Sequence, residues 1–130
     1  MTDCIVDAWA WIEYFDGSKA GEKIRGYVED ERNGVFTLSV TLAEVVSKFL
    51  RTGKNADIAV EGIRSLSRIT PVDENLAAFA GELHAENKRK IKNFGLADAF
   101  ILASARKSNC RILTGDPHFK GFKEAIFIIR

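Results

Sequence analysis

The chain has few cysteines, few prolines and no excess of either charge. Two cysteines, Cys4 and Cys110, stand far apart among 130 residues, which argues against a disulfide-stapled secreted scaffold. Only Pro71 and Pro117 occur, and there is no linker, repeat or low-complexity tract. Lys and Arg number 19 against 18 Asp and Glu, a net charge of +1, so a uniformly basic nucleic-acid coat is excluded. Any basic surface must be local. The longest apolar run, Phe94 to Ala105, contains Asp98 and is too short to span a bilayer. An acid lies within the first seven residues and no basic segment precedes an apolar one, unlike a secretory signal. The expected location is the cytoplasm, with no membrane partner. Hydrophobic residues make up 46% and charged residues 28%, as in a globular domain. One domain over residues 1–130 is expected, large enough to bury roughly two-thirds of its unfolded surface.

Short β-like runs alternate with longer helical ones. Cys4-Ile5-Val6 is a strand ending at Asp7, followed by a helix over Trp9–Phe15 closed at Asp16-Gly17. Ser18 caps a second helix carrying Ala20, Ile24, Tyr27 and Val28 at helical spacing. Val35–Ser39 reads as a strand. Thr41-Leu42-Ala43-Glu44 has the form of a capping box opening a helix with Val45, Val46, Phe49 and Leu50 on one face. Asn55 starts another helix, Ile69–Val72 is an extended edge piece, and Asp73 caps the next helix. Lys88–Lys92 is a basic loop leading to Gly95. The segment from Leu96 to about Lys107 is a helix apolar nearly all round, hence buried. Arg111–Thr114 and Ala125–Ile129 are the last strands. This alternation predicts a three-layer α/β/α domain with a central, mostly parallel sheet of four or five strands.

The acids fall in a pattern. Asp7 and Asp116 follow the C-terminal ends of strands, and Glu44 opens the helix after the second strand. Open parallel sheets bind ligands at that rim. Asp98 is the only charge in its apolar run, and a carboxylate there is unfavourable unless paired or ligated. Each acid also has a structural explanation: Asp7 as a helix N-cap, Glu44 as the capping-box glutamate or a partner of Lys48, Asp98 as an acid favoured at the helix N-terminus, and Asp116-Pro117 as a turn. Carboxylates converging at one rim repel one another and would take up protons without a cation. A hard divalent ion, Mg²⁺ or Mn²⁺, relieves this. His84 and His118 are isolated, and no Cys/His pair has zinc-like spacing. Such a centre suits phosphodiester hydrolysis.

These motifs resemble the PIN domain. The match lies in Asp7 at the first strand end, the Thr41–Glu44 helix start, Leu96-Ala97-Asp98-Ala99-Phe100-Ile101 and Ile112-Leu113-Thr114-Gly115-Asp116. The nearest likeness is to VapC-type ribonuclease toxins of toxin–antitoxin pairs. The resemblance implies Mg²⁺- or Mn²⁺-dependent RNA cleavage, inhibition by a cognate antitoxin protein, and a homodimer. It implies Asp7, Glu44, Asp98 and Asp116 as the catalytic quartet, with Asp7, Asp98 and Asp116 holding the metal directly or through water. Glu44 would orient the attacking water or complete the outer shell. Two positions depart from the pattern. Trp9 stands where the family usually has a small hydroxyl or amide residue, leaving Thr114 and Ser39 as candidates for that contact. His118 stands where a further acid is common, which favours a single ion.

RNA would need cations near this rim; Arg51, Lys54, the Lys88–Lys92 run, Lys120 and Lys123 are candidates. Trp9, Trp11, Tyr14 and Phe15 crowd one short helix, either as core or as a groove for an antitoxin segment, which Phe49 and Leu50 could extend. The alternative to a nuclease is a non-catalytic RNA- or protein-binding module on the same scaffold, motivated by Trp9. A phospho-acceptor signalling domain needs paired acids at the first strand, whereas Asp3 and Asp7 are not adjacent. A haloacid-type phosphatase needs a second acid where Trp9 stands.

Overall fold

A computed structural model describes residues 1–129. The chain runs β1 (Asp3–Val6), α1 (Ala8–Asp16), α2 (Lys19–Val28), β2 (Gly34–Leu38), α3 (Ser39–Arg51), α4 (Ala56–Leu66) and β3 (Arg68–Thr70). It continues through α5 (Glu74–Lys88), α6 (Leu96–Ser108), β4 (Arg111–Thr114), a 3-10 turn (Pro117–Phe119) and β5 (Ala125–Phe127). The five strands form one sheet in the order β3-β2-β1-β4-β5, and every pairing is parallel. The expected α/β/α layering is present, with the sheet wholly rather than mostly parallel.

Alternation along the strands builds two cores. Cys4 and Val6 of β1 and Leu113 of β4 face one layer, where they pack with Trp11, Ile24, Val45 and Ile63 from α1 to α4. Ile5 and Ile112 face the other, against Leu76 and Leu83 of α5 and Leu102 of α6. Both faces are covered, so the buried positions of the inner strands are apolar apart from Thr37 and Thr114. Cys4 pairs in register with Arg111, the neighbour of Cys110. Both thiols are free and buried, and burial first, then the Cys110 and Asp3 charges, pushes the Cys4 thiol up to about 12.

Side-chain caps set most helix starts, as their residue types predict. The Asp7, Ser18, Asn55 and Asp73 side chains accept backbone N–H groups of α1, α2, α4 and α5. Helix α3 differs. It begins at Ser39, directly from the buried strand residue Leu38, and no side chain caps it. Thr41 therefore sits inside the first turn, fully buried, with its hydroxyl unpartnered. The Thr41–Glu44 capping box does not form, because the helix starts two residues before Thr41, with Leu38 at its N-cap and Thr41 already inside its first turn. The last strand ends at Phe127 rather than Ile129.

Strand order reverses direction at β1, placing β2 on one side and β4 on the other. The C-terminal ends of β1 and β4 flank this switch point, where a parallel sheet leaves a crevice.

Candidate active site

Asp7 follows the end of β1 and is 5% exposed. Its Oδ1 accepts the Ala10 N–H at 2.9 Å, and its Oδ2 accepts the Thr114 hydroxyl. Thr114 Oγ1 in turn accepts the Asp116 N–H at 2.9 Å. The end of β1 is thus tied through Thr114 to the residue after Gly115. Burial pushes the Asp7 carboxyl up to about 7; the Thr114 and Ala10 bonds lower it, and the Asp116 and Asp98 charges raise it further.

Asp98 lies in the first turn of α6. Its Oδ2 accepts the Gly95 N–H at 2.9 Å, so it does support the helix start. The same oxygen lies 2.9 Å from His118 Nδ1. Asp116 caps the 3-10 turn, with Oδ1 accepting the His118 N–H at 2.9 Å. That oxygen is 3.4 Å from His118 Nδ1. Asp98, Asp116 and His118 each offer a donor atom within 4.8 Å of the others'. Burial first, then the Asp116 charge, raises the Asp98 carboxyl against the lowering effects of Gly95 and His118.

Glu44 stands on the solvent side of α3, with no ion pair to Lys48 among the described residues. Partial enclosure by the site raises its carboxyl first, followed by the Asp98 and Asp116 charges. Four acids from four chain segments therefore share one electrostatic site. Asp98 and Asp116 meet most closely, Asp7 is buried with both oxygens engaged, and Glu44 lines a cleft together with Asp116. That cleft, about 650 Å³, is walled by Trp9, Ile12 and Ala43, with Lys48 and Arg51 on its flank and Glu44 and Asp116 in its lining.

Trp9 packs over Gly115: a Cβ on that glycine would come within 2.2 Å of the indole Cη2 and 2.5 Å of the Ile128 carbonyl. A bulky residue after Asp7 is accommodated because position 115 has no side chain. Trp11 is core, fully buried, and its indole N–H donates to Thr37 Oγ1 at 3.1 Å. Tyr14 and Phe15 pack on it edge-on and stacked. The aromatic helix is thus mainly core packing, with Trp9 turned to the cleft. Ser39 is exposed at the start of α3, leaving Thr114 as the hydroxyl beside Asp7. Lys54 pairs with Asp16 and lies over the Phe49 ring, away from the cleft.

Sequence reasoning placed His118 where a further acid is common but missed its contacts with Asp98 and Asp116. It looked isolated, although Asp-Pro-His carries the signal of a tight turn: an N-cap acid followed by proline at the first position. Such a turn folds the third residue back over the first.

The donor set suits a divalent ion. Two partly exposed carboxylates and an imidazole converge without a lysine, arginine or thiol among them, and the carboxyls of Asp7, Glu44 and Asp98 are raised first by burial and then by neighbouring acidic charge.

Residues 4–125 match the family model for the PIN domain. The chain belongs to the PIN-domain family. No curated protein matches the sequence. Among solved structures it is similar to VapBC2 from Rickettsia felis bound to a DNA fragment from their promoter, with a TM-score of 0.74, 17% identity and 97% of each chain covered. A toxin–antitoxin complex from Klebsiella pneumoniae gives 0.73 at 19% identity, covering 95% of each chain. VapC20 from Mycobacterium tuberculosis, a sarcin–ricin loop cleaving toxin, gives 0.68 at 20% identity, covering 83% of this chain and 85% of that one. At these identities the likeness establishes the shared fold. No helix of the described residues is long and apolar enough to cross a membrane.

Proposed function

We propose that the protein is a Mg²⁺- or Mn²⁺-dependent endoribonuclease acting as the toxin of a VapBC-type toxin–antitoxin pair. The observation that carries this is the convergence of Asp98 and Asp116 at the rim of a PIN-domain sheet, beside a cleft with basic residues on its flank. The solved relatives named as toxins or toxin–antitoxin complexes support the toxin role.

Asp98 and Asp116 would hold the ion, with Asp7 completing the negative base of the site directly or through water. When bound, the ion supplies Lewis acidity toward phosphate and makes a nearby water easier to deprotonate. Glu44, its carboxyl raised by partial burial and by the Asp98 and Asp116 charges, orients that water across the cleft and accepts its proton. Asp7 also acts through Thr114, whose hydroxyl fixes the Asp116 backbone. Lys48 and Arg51 draw the RNA backbone past the acids, which alone would repel it. In-line attack leaves a 5′-phosphate and a 3′-hydroxyl. An antitoxin segment would compete for the same apolar and basic cleft. The protein would act in the cytoplasm, as a homodimer.

Cleavage of end-labelled RNA tests this. Wild-type protein cuts with Mn²⁺ or Mg²⁺ and stops with chelator, and Asp98→Asn loses at least about a hundredfold in rate without loss of folding. Unchanged metal-dependent cleavage in Asp98→Asn would falsify the assignment. RNA retention without turnover by the wild type returns the binding-module alternative.

A further inference from the structure

We infer that His118 is a nitrogen ligand of the metal centre and biases it toward a first-row transition ion such as Mn²⁺ over Mg²⁺. The inference rests on the metal-dependent reading above and adds a donor that the acidic quartet does not contain.

The backbone places this imidazole. Asp116 caps the 3-10 turn by accepting the His118 N–H, Pro117 fixes the first position, and Phe119 anchors the turn in the core at 1% exposure. His118 is therefore held between a cap on one side and a buried ring on the other. Its Nδ1 lies 2.9 Å from Asp98 Oδ2 and 3.4 Å from Asp116 Oδ1. It points at the same two carboxylates that would take the ion. The side chain is 30% exposed, so the site opens to water and substrate on that side.

The chemistry of the donors sets the preference. Mg²⁺ takes oxygen ligands and keeps its waters. Imidazole nitrogen suits d-block ions, whose affinity for mixed nitrogen and oxygen sites is higher. Two carboxylates and one imidazole make a mixed set that still admits Mg²⁺ but ranks it below Mn²⁺. The other way to use such an imidazole is as a fixed counter-charge between the carboxylates. In that arrangement it would be displaced when the ion enters and would leave no nitrogen in the coordination sphere.

Electron spin echo spectroscopy of the full chain, stripped with chelator and loaded with Mn²⁺, separates the two. The expected result is ¹⁴N modulation from a coordinated imidazole in wild type and in His84→Gln, and its loss in His118→Asp with Mn²⁺ still bound. The chain has only two histidines, and His84 stacks on Phe94, so the assignment of the nitrogen is direct. Calorimetric titration should show the ratio of Mn²⁺ to Mg²⁺ affinity falling about tenfold in His118→Asp. Mn²⁺ bound in an Asp98-dependent way without ¹⁴N modulation overturns the His118 assignment and leaves the metal site standing. An affinity ratio unchanged in His118→Asp also overturns it. Absence of any Mn²⁺ binding to wild type overturns both.

Discussion

Replacing Asp7 by asparagine should stabilise the protein at neutral and alkaline pH while destroying its activity. Asp7 is buried and its carboxyl is pushed from 3.8 to about 7. A raised carboxyl favours the protonated form in the folded state. Between those two values the folded protein holds more protons than the unfolded chain, so stability falls as pH rises. At about 1.36 kcal/mol per unit, the full effect is at most about 4 kcal/mol, reached above pH 7. Asparagine carries no charge and still caps a helix well, so the Ala10 bond survives. Part of the gain will be lost at Thr114, whose hydroxyl then faces an amide. A net gain of about 1 to 3 kcal/mol at pH 8 corresponds to about 4 to 12 °C in the unfolding midpoint for a domain of this size. Thermal unfolding followed by circular dichroism, in chelator and at several pH values from 4 to 8, reads this out. The Asp7→Asn advantage should shrink steadily as pH falls toward 4. Saturating Mn²⁺ should also narrow it, because only the wild type keeps the full acidic site that the ion stabilises. An Asp7→Asn protein that melts earlier than wild type at pH 8, or an advantage independent of pH, refutes the reasoning.

Gly115→Ala should destabilise the domain by about 1 to 3 kcal/mol in urea unfolding, because its Cβ would collide with both Trp9 and the Ile128 carbonyl. Adding Trp9→Ala should relieve only part of that loss, since the carbonyl remains; full recovery would show that the backbone contact is unimportant. In an Asp98→Asn background that binds without cutting, Lys48→Ala with Arg51→Ala should flatten the salt dependence of single-stranded RNA binding by about 1.4 in log–log slope. An unchanged slope would place the RNA elsewhere.

Much of the fold was legible because its signals are local. Capping acids and hydroxyls, the alternation of short apolar runs with amphipathic ones, and the apolar sequence around Asp98 each depend on a few adjacent residues. Pro71 likewise marked an edge, and β3 lies at one side of the sheet. The start of α3 was misread because Thr41 and Glu44 match a capping box by type and spacing, while the earlier start of the helix at Ser39 is a tertiary fact. That misreading matters for the site, since Glu44 is left facing the cleft instead of closing its own helix. The strand-end rule brought Asp7, Glu44 and Asp116 to one rim, Asp98 stood out only as the lone charge of an apolar run, and the ranking within the quartet was not legible. It depends on which carboxyl the packing of α1 and β4 encloses. Lys54 illustrates the opposite error: a basic residue at a helix end has no signal for the distant Asp16 that engages it. His118 needed the turn geometry and the position of α6 together, and only the folded chain supplies both.

The most direct measurement is an anomalous difference map from a crystal soaked in Mn²⁺. The expected result is a peak touching carboxylate oxygens of both Asp98 and Asp116, absent in crystals of Asp98→Asn. A soaked crystal with no peak there, and with the two carboxylates held by lysine or arginine side chains instead, would contradict the proposed centre and the nuclease built on it.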